Sequence, residues 1–555
     1  MFCRHSHHIY QCICTDVKAQ LRELCAVGTK FHPEKGCLPQ TRVKFIDAIM
    51  EWVNDPDPAS PMVLMLFGQA GTGKSTIAHE VARRFHDMER LSTSYFFVRG
   101  STSKRESYRF FATLARDLCR RIPAYKAALV ESIHNNPELD IENTQDYPTL
   151  FNVLLRSPLQ NVRFFGPIFI VIDALDESED VTNINYVGSN CTHFHTFLAE
   201  HLSELPSNFR ILITSRPEEE IWRAFSGHPS SSFTYMWMDD PILSCGVDDD
   251  IFTYLRKRLT GAGVDEGTLW MLAKKAEQSF QWASVASHYI ANPPRGLSSK
   301  QCIHRVLHPM DRGINPLDDL YTTVLEMFDV KDPDIHYNFQ FVMGQVVGAY
   351  QPLSIASLNL MNGHAADWEI FNAPRDVSVV VSHLGSLLSN VVPSNSTHPI
   401  APLHTSFRDF LTDESRSGKF YIDLDIAHKH LAAATLRTMH QTLRFNICEL
   451  GTSHHLNSEV PDLSNRIEKH IPPVLSYSCR FWAEHSSRMS GGIGAEFLTC
   501  LCAFMEEKFL FWLEVLSVEG VVPNATTALL SLRRWLTQIG EKVSKVEPFP
   551  LTDGF

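Results

Sequence analysis

The stretch that decides the fold is Leu64-Met65-Leu66-Phe67-Gly68-Gln69-Ala70-Gly71-Thr72-Gly73-Lys74-Ser75-Thr76. An apolar run, Met62 to Phe67, ends in a glycine-rich turn, and Lys-Ser-Thr then opens a helical pattern. This is G-x-x-x-x-G-K-[ST] between a strand and a helix, the setting in which that spacing cradles phosphate. Glycines allow positive φ and a close approach to an anion, because no Cβ intervenes. The loop N–H groups from Gly68 to Thr76, including those of Gln69, Ala70 and Thr72, and the positive end of the helix then face the anion. Lys74 adds a point charge for the β- and γ-phosphates, and the Ser75 hydroxyl suits Mg²⁺. Ile77, Ala78, Val81, Ala82 and Phe85 form one apolar face that can lie on a sheet. The stretch predicts a nucleotide site.

Downstream, strand and helix patterns alternate, as a parallel α/β sheet requires. Ser94 to Val98 reads as a strand, Phe110, Leu114, Leu118 and Ile122 as a helical face, and Tyr147 to Leu155 as another helix. Ile168 to Ile172 is a continuous apolar run, typical of a strand covered on both faces. It ends in Asp173-Ala174-Leu175-Asp176-Glu177. A carboxylate at the carboxyl end of such a strand sits where open α/β sheets bind ligands. Asp173 there can hold Mg²⁺, and Asp176 and Glu177 on the following turn fall within reach of an attacking water. The next strand, Ile211 to Thr214, leads into Ser215-Arg216-Pro217, where Arg216 can sense or stabilise γ-phosphate charge.

With 555 residues the chain is long enough for several domains with sizeable cores. A net charge of −13 argues against broad nucleic-acid binding. The cysteines show no C-x-x-C pair, which suits reduced thiols and a cytoplasmic location. The start lacks the apolar segment of a signal peptide. Prolines and polar residues break the uncharged stretch Val377 to Phe407, so no membrane span is expected.

Ahead of the loop, residues 1–35 read as a short leader. Its Cys3, His5, His7, His8, Cys12 and Cys14 match no standard zinc spacing, and an unstructured or partly helical start is the other reading. Phe45, Ile46, Ile49 and Trp52 have helical spacing. After Ile221 the character changes to helices, over Ile251 to Leu259 and about Leu269 to Ile290. Residues 340–412 read as helix (Phe341 to Val347), helix (Ile355 to Met361), then helix and strand (Val379 to Val392), the rhythm of a winged helix. Between 340 and 410 its basic residues are Arg375 and Arg408, against Asp367, Glu369, Asp376 and Asp409, so a DNA role fails for want of phosphate contacts. A further helix opens near Thr405 and Ser406, both good caps. His404 just before it has two readings, a contact to nucleotide phosphate or a packed interdomain histidine. Leu424 to about Trp535 reads as helical, with Phe509 to Leu513 as core, and Lys542 to Phe555 as a frayed tail.

Gly36-Cys37-Leu38-Pro39-Gln40-Thr41-Arg42, the loop with Thr76-Ile77-Ala78, Asp173 to Glu177 and Thr214 to Pro217 together resemble the NACHT NTPases of fungi. These belong to the STAND class of signalling ATPases and GTPases, similar to heterokaryon-incompatibility proteins and to animal and plant immune receptors. Pro402 to Leu411 and Leu443 to Cys448 resemble segments that follow the NACHT domain in mushroom-type NACHT–WD-repeat proteins. The resemblance implies an α/β P-loop NTPase core, a parallel sheet with helices on both faces, over 36–225. An all-α lid (226–325), a winged-helix-like domain (326–425), a helical domain (426–540) and a tail (541–555) would follow. It implies that Arg42 lines the base, that Lys74 and Ser75 hold phosphates and Mg²⁺, and that Asp173 supports the metal. Asp176 or Glu177 would position water, Arg216 would act as sensor, and His404 would clamp the β-phosphate of ADP. Two departures stand out. Gln40 occupies a place where glycine is usual, and Glu277-Gln278-Ser279-Phe280-Gln281-Trp282-Ala283 departs from the family's Gly-Leu-Phe-Ile-Trp-Ala lid motif. No effector domain or 40-odd-residue repeat is visible, so partner proteins or a longer architecture would supply input and output.

The expected function is a signalling switch that binds and slowly hydrolyses ATP or GTP with Mg²⁺. Exchange of ADP for triphosphate would drive opening and self-association, in fungal non-self recognition or incompatibility signalling. No N-K-x-D guanine motif occurs, which tilts the base toward ATP. The competing readings are a catalytically idle nucleotide-binding scaffold or truncated relative, and a mechanical ATPase acting on nucleic acid or protein.

Overall fold

Five apolar runs build one parallel sheet in the order β2-β3-β4-β1-β5. They are β1 (Val63–Phe67), β2 (Leu91–Phe96), β3 (Ile168–Asp173), β4 (Phe209–Ser215) and β5 (Phe233–Trp237). The structure is a computed structural model and describes residues 31–544, apart from 58, 98–105, 140, 142–143, 145, 161, 164–165, 179–192, 228–231, 295, 310–314, 366–375, 392–396, 453, 455 and 490–494. Cys3, His5, His7, His8, Cys12 and Cys14 of the leader, Asp367, Glu369 and Arg375, and the tail beyond 544 lie outside the described residues.

Successive strand residues feed two separate cores, one on each face of the sheet. Val63, Met65 and Phe67 join Ile170, Ile172, Ile211 and Ile213 on one side. Leu64 and Leu66 join Phe169, Val171 and Leu212 on the other, where Ile77, Ala78, Val81, Ala82 and Phe85 cover them. This is why the strands read as unbroken apolar runs rather than alternating ones. The covering helix α2 (Lys74–Asp87) follows β1, and α1 (Val43–Asn54) precedes it and buries Phe45, Ile46, Ile49 and Val53. On the opposite face lie α3 (Glu106–Arg121) and α4 (Phe194–His201), whose Phe110, Phe111, Phe194 and Phe197 share the first core.

The sheet continues past residue 225. β5, unread in the sequence, pairs with β1 as its other neighbour, Val63 opposite Phe233 and Phe67 opposite Trp237. The helix expected from Leu269 to Ile290 is two helices, α6 (Glu266–Lys275) and α7 (Phe280–Ala291), preceded by α5 (Val247–Arg258). Glu277 and Gln278, both left-handed at φ 45° and 65°, break it.

The chain divides into two units, 1–287 and 288–555. Among the described residues, the second is helical. It includes α8 (Pro316–Leu325), α9 (Pro333–Gly348), α10 (Ile355–Ala365), α11 (Thr405–Leu411), α12 (Leu424–Thr442), α13 (Pro473–Ser487) and α14 (Phe509–Val518). In place of the strand expected up to Val392, isolated antiparallel bridges join Ser354 to Pro399 and Leu388 to Pro402. The prolines at both bridges forfeit the N–H that a longer ladder needs. Helix α11 is capped by His404 itself rather than by Thr405 or Ser406, its Nδ1 accepting the Ser406 N–H at 3.1 Å. Of the Phe509–Leu513 cluster Trp512 is fully buried, while Leu510 is 73% exposed. No helix among the described residues is long and apolar enough to cross a membrane.

Candidate nucleotide site

Parallel pairing puts the carboxyl ends of β1, β4 and β3 side by side. Phe67 is level with Ser215 across β1 and β4, and Ile172 with Ile213 across β4 and β3. The glycine loop, Thr214 to Arg216, and Asp173 to Glu177 therefore leave one sheet edge at one height, about 4.8 Å from strand to strand. The three stretches singled out in the sequence converge, although they lie far apart in the chain.

The loop geometry follows from its glycines. Gly71 and Gly73 have φ of +79° and +95°, and Gly73 ends the loop as the cap residue of α2. Gly68 is required for a different reason, since a Cβ there would come within 2.6 Å of Met238 Cγ. The buried Lys74 ammonium donates to the carbonyls of Gly68 (2.7 Å) and Gln69 (3.0 Å). Burial lowers its pKa to about 8, opposed chiefly by the charges of Asp176 and Asp173.

Asp173 is buried, and burial pushes its carboxyl above the ordinary range, opposed by hydrogen bonds from Thr214 and Ser75. Thr214 organises this corner, because its hydroxyl donates to Asp173 and accepts the Ala174 N–H at 3.0 Å. Ala174 is left-handed at φ 56° and turns the chain sharply after β3. The donor set fits Mg²⁺. Adjacent oxygens of an octahedral magnesium lie about 2.9 Å apart, and Ser75 and Asp173 are already at hydrogen-bond distance. Those two residues would hold the ion.

Asp176 and Arg216 are paired. Arg216 Nε lies 3.1 Å from Asp176 Oδ2, and the Arg216 N–H donates to Oδ1 at 3.0 Å. Asp176 is buried and Glu177 half-buried. Of the two acids expected near a water, Glu177 is the more accessible, and both oxygens of Asp176 bond to Arg216.

Arg42, 5% exposed, is left-handed at φ 57° and opens α1. Its backbone N–H donates to Asp250 on α5 at 2.8 Å, and its Nη2 to the Thr72 carbonyl at 2.7 Å. Burial lowers its pKa to about 10. Gln40, where glycine is usual, has φ 68°, which explains the preference for glycine. His404 belongs to the second unit, where its Nδ1 lies 2.7 Å from Ser406 Oγ and that hydroxyl 2.7 Å from the Tyr321 phenol. Met238 and Asp250 were not picked out as functional in the sequence, and Thr214 was quoted there only as the first residue of the Arg216 motif, without a role of its own. Their partners are far away in the chain.

A five-stranded parallel sheet with helices on both faces, and a glycine-rich turn leaving its first strand, is consistent with the α/β core of a P-loop NTPase. Residues 45–216 match the family model described as Nephrocystin 3, N-terminal. The chain is also 24% identical over 288 residues to the vegetative incompatibility protein HET-E-1 of Podospora anserina. That match covers 48% of this chain and 20% of the relative. Both matches agree with the resemblance to fungal NACHT-type proteins drawn from the sequence.

Proposed function

We propose that the chain is a nucleotide-operated switch that binds ATP or GTP with Mg²⁺ and hydrolyses it slowly. The observation that carries this reading is the convergence of Lys74, Asp173 and Arg216 at the ends of three adjacent strands. Lys74 and the loop N–H groups would bind the β- and γ-phosphates, and Ser75 and Asp173 would hold the metal, which supplies charge neutralisation at the phosphoryl oxygens. Glu177 would orient the attacking water. Arg216, held beside the site by Asp176, would meet charge developing on the γ-phosphate.

Exchange of ADP for triphosphate would control opening and self-association, with the helices after β5 as a lid and residues 326–425 as a winged-helix-like module. Incompatibility signalling is the proposed setting, by analogy with the relative. An idle nucleotide-binding scaffold is the competing reading, favoured by the engagement of Asp176 with Arg216. The double substitution Asp176→Asn with Glu177→Gln separates them. A switch loses steady-state hydrolysis while keeping nucleotide affinity, and a scaffold has no wild-type turnover to lose.

A further inference from the structure

Two contacts from outside the loop and its helix reach the carbonyls of Gly71 and Thr72. Arg42 Nη2 takes the Thr72 carbonyl at 2.7 Å, and the Gln281 N–H takes the Gly71 carbonyl at 3.2 Å. Phe280 links them, since the Arg42 guanidinium carbon lies 4.9 Å from its ring centroid and 5.5 Å from that of Phe45. Gly71 makes room for the contact, because a Cβ there would lie 2.6 Å from Gln281 Cβ. The left-handed pair Glu277 and Gln278 turns the chain so that α7 starts against the loop.

Nε and Nη1 of Arg42 have no hydrogen-bond partner among the described residues, although the side chain is nearly fully buried. A buried guanidinium short of partners opposes the contact that buries it. Withdrawal of Phe280 would return water to those nitrogens. The contact is therefore closed against an opposing cost, as a reversible fastening should be.

We propose that Arg42, Phe280 and Gln281 form a clasp through which the lid helices α6 and α7 read the backbone of the phosphate loop. Its effect on nucleotide rests on the switch reading above, while the clasp itself is tested by hydrogen exchange with no nucleotide added. A loop that turns its N–H groups to phosphate turns the Gly71 and Thr72 carbonyls toward Arg42 and Gln281. Phosphate binding and lid docking then strengthen one another equally, as linkage demands. Arg42 is a positioning residue, acting through the Thr72 carbonyl.

The test is hydrogen exchange on the full chain as purified, for wild type, Phe280→Ala and Phe280→Tyr, followed by release of a fluorescent ADP. Loss of the ring from the cation should speed exchange of amides 281–284 about tenfold. Amides in β1, β3 and β4 should be unchanged, and Phe280→Tyr should restore protection. Release of the fluorescent ADP should quicken by a similar factor and recover with the tyrosine. Unchanged exchange at 281–284 overturns the clasp. Faster exchange with unchanged release overturns its coupling to nucleotide. A wild type that fails to bind the probe overturns that coupling together with the switch reading, leaving the exchange result to judge the clasp alone. If Phe280→Ala loosens the strands as well, Arg42→Lys decides, because it keeps the charge and removes the fork that reaches Thr72. It should reproduce the faster exchange at 281–284, and wild-type exchange there contradicts the proposal.

Discussion

Arg216 and Asp176 hold each other twice, through the guanidinium Nε at 3.1 Å and the backbone N–H at 3.0 Å. The arginine at the end of β4 is thereby fixed against the turn after β3. Arg216→Ala would take the paired guanidinium from a buried carboxylate that Lys74 also faces, costing on the order of 3 kcal/mol. Thermal denaturation should show the loss, and Asp176→Asn added to Arg216→Ala should recover most of it. Turnover should not recover, staying about a hundredfold down for want of the charge at the γ-phosphate.

Glu177 and Asp176 should separate as single substitutions. Glu177→Gln removes a half-buried acid and should abolish most hydrolysis with little change in melting temperature. Asp176→Asn should destabilise the protein as well, because it weakens the hold on Arg216. Hydrolysis rates and melting curves of the two variants, side by side, check this. Equal melting temperatures would contradict the division of roles.

The depressed pKa of Lys74, about 8, sets a pH dependence for phosphate binding. An anion favours the charged lysine, so binding above that pH must take up a proton. Nucleotide affinity should be flat from about pH 6 to 7.5 and weaken as pH rises through 8, by up to about tenfold per unit. Lys74→Arg, charged throughout, should lose this dependence. Titration calorimetry in buffers of different ionisation enthalpy measures the proton uptake directly.

Gln40 and Gln278 occupy left-handed backbone at φ 68° and 65°. A side chain in that region costs about 1–2 kcal/mol, and glycine returns part of that gain as unfolded-state entropy. Gln40→Gly and Gln278→Gly should each raise stability by about 0.5–1 kcal/mol, read as an upward shift in Tm. At an ordinary helical position the same change would lower it.

His404 caps α11 through Nδ1. His404→Asn, which can also cap, should preserve stability, while His404→Ala should cost about 1 kcal/mol. A histidine that also contacts ADP would make nucleotide release faster in both variants, so release rates separate the two readings of this residue.

Much of the phosphate site was legible because its parts are local. The glycine spacing, the apolar runs and the residues that leave their ends each lie within about a dozen positions. β5 carried a signal that went unread, since Phe233, Tyr235 and Trp237 alternate onto one core. The break between α6 and α7 lacks the usual marks, because Ala276 to Ser279 holds neither glycine nor proline, and its one clue was the glycine of the family motif that this stretch departs from. Likewise the Asp250 anchor of Arg42, 208 residues away, and the Met238 side chain behind Gly68 depend on topology rather than on any local pattern.

The most direct test is the nucleotide carried by the purified protein, released by denaturation and separated by chromatography, for wild type beside Lys74→Ala. The switch reading predicts stoichiometric ADP in the wild type and none in the variant. A wild type that carries no nucleotide, and that binds neither ATP, GTP nor ADP when these are added with Mg²⁺, would contradict it.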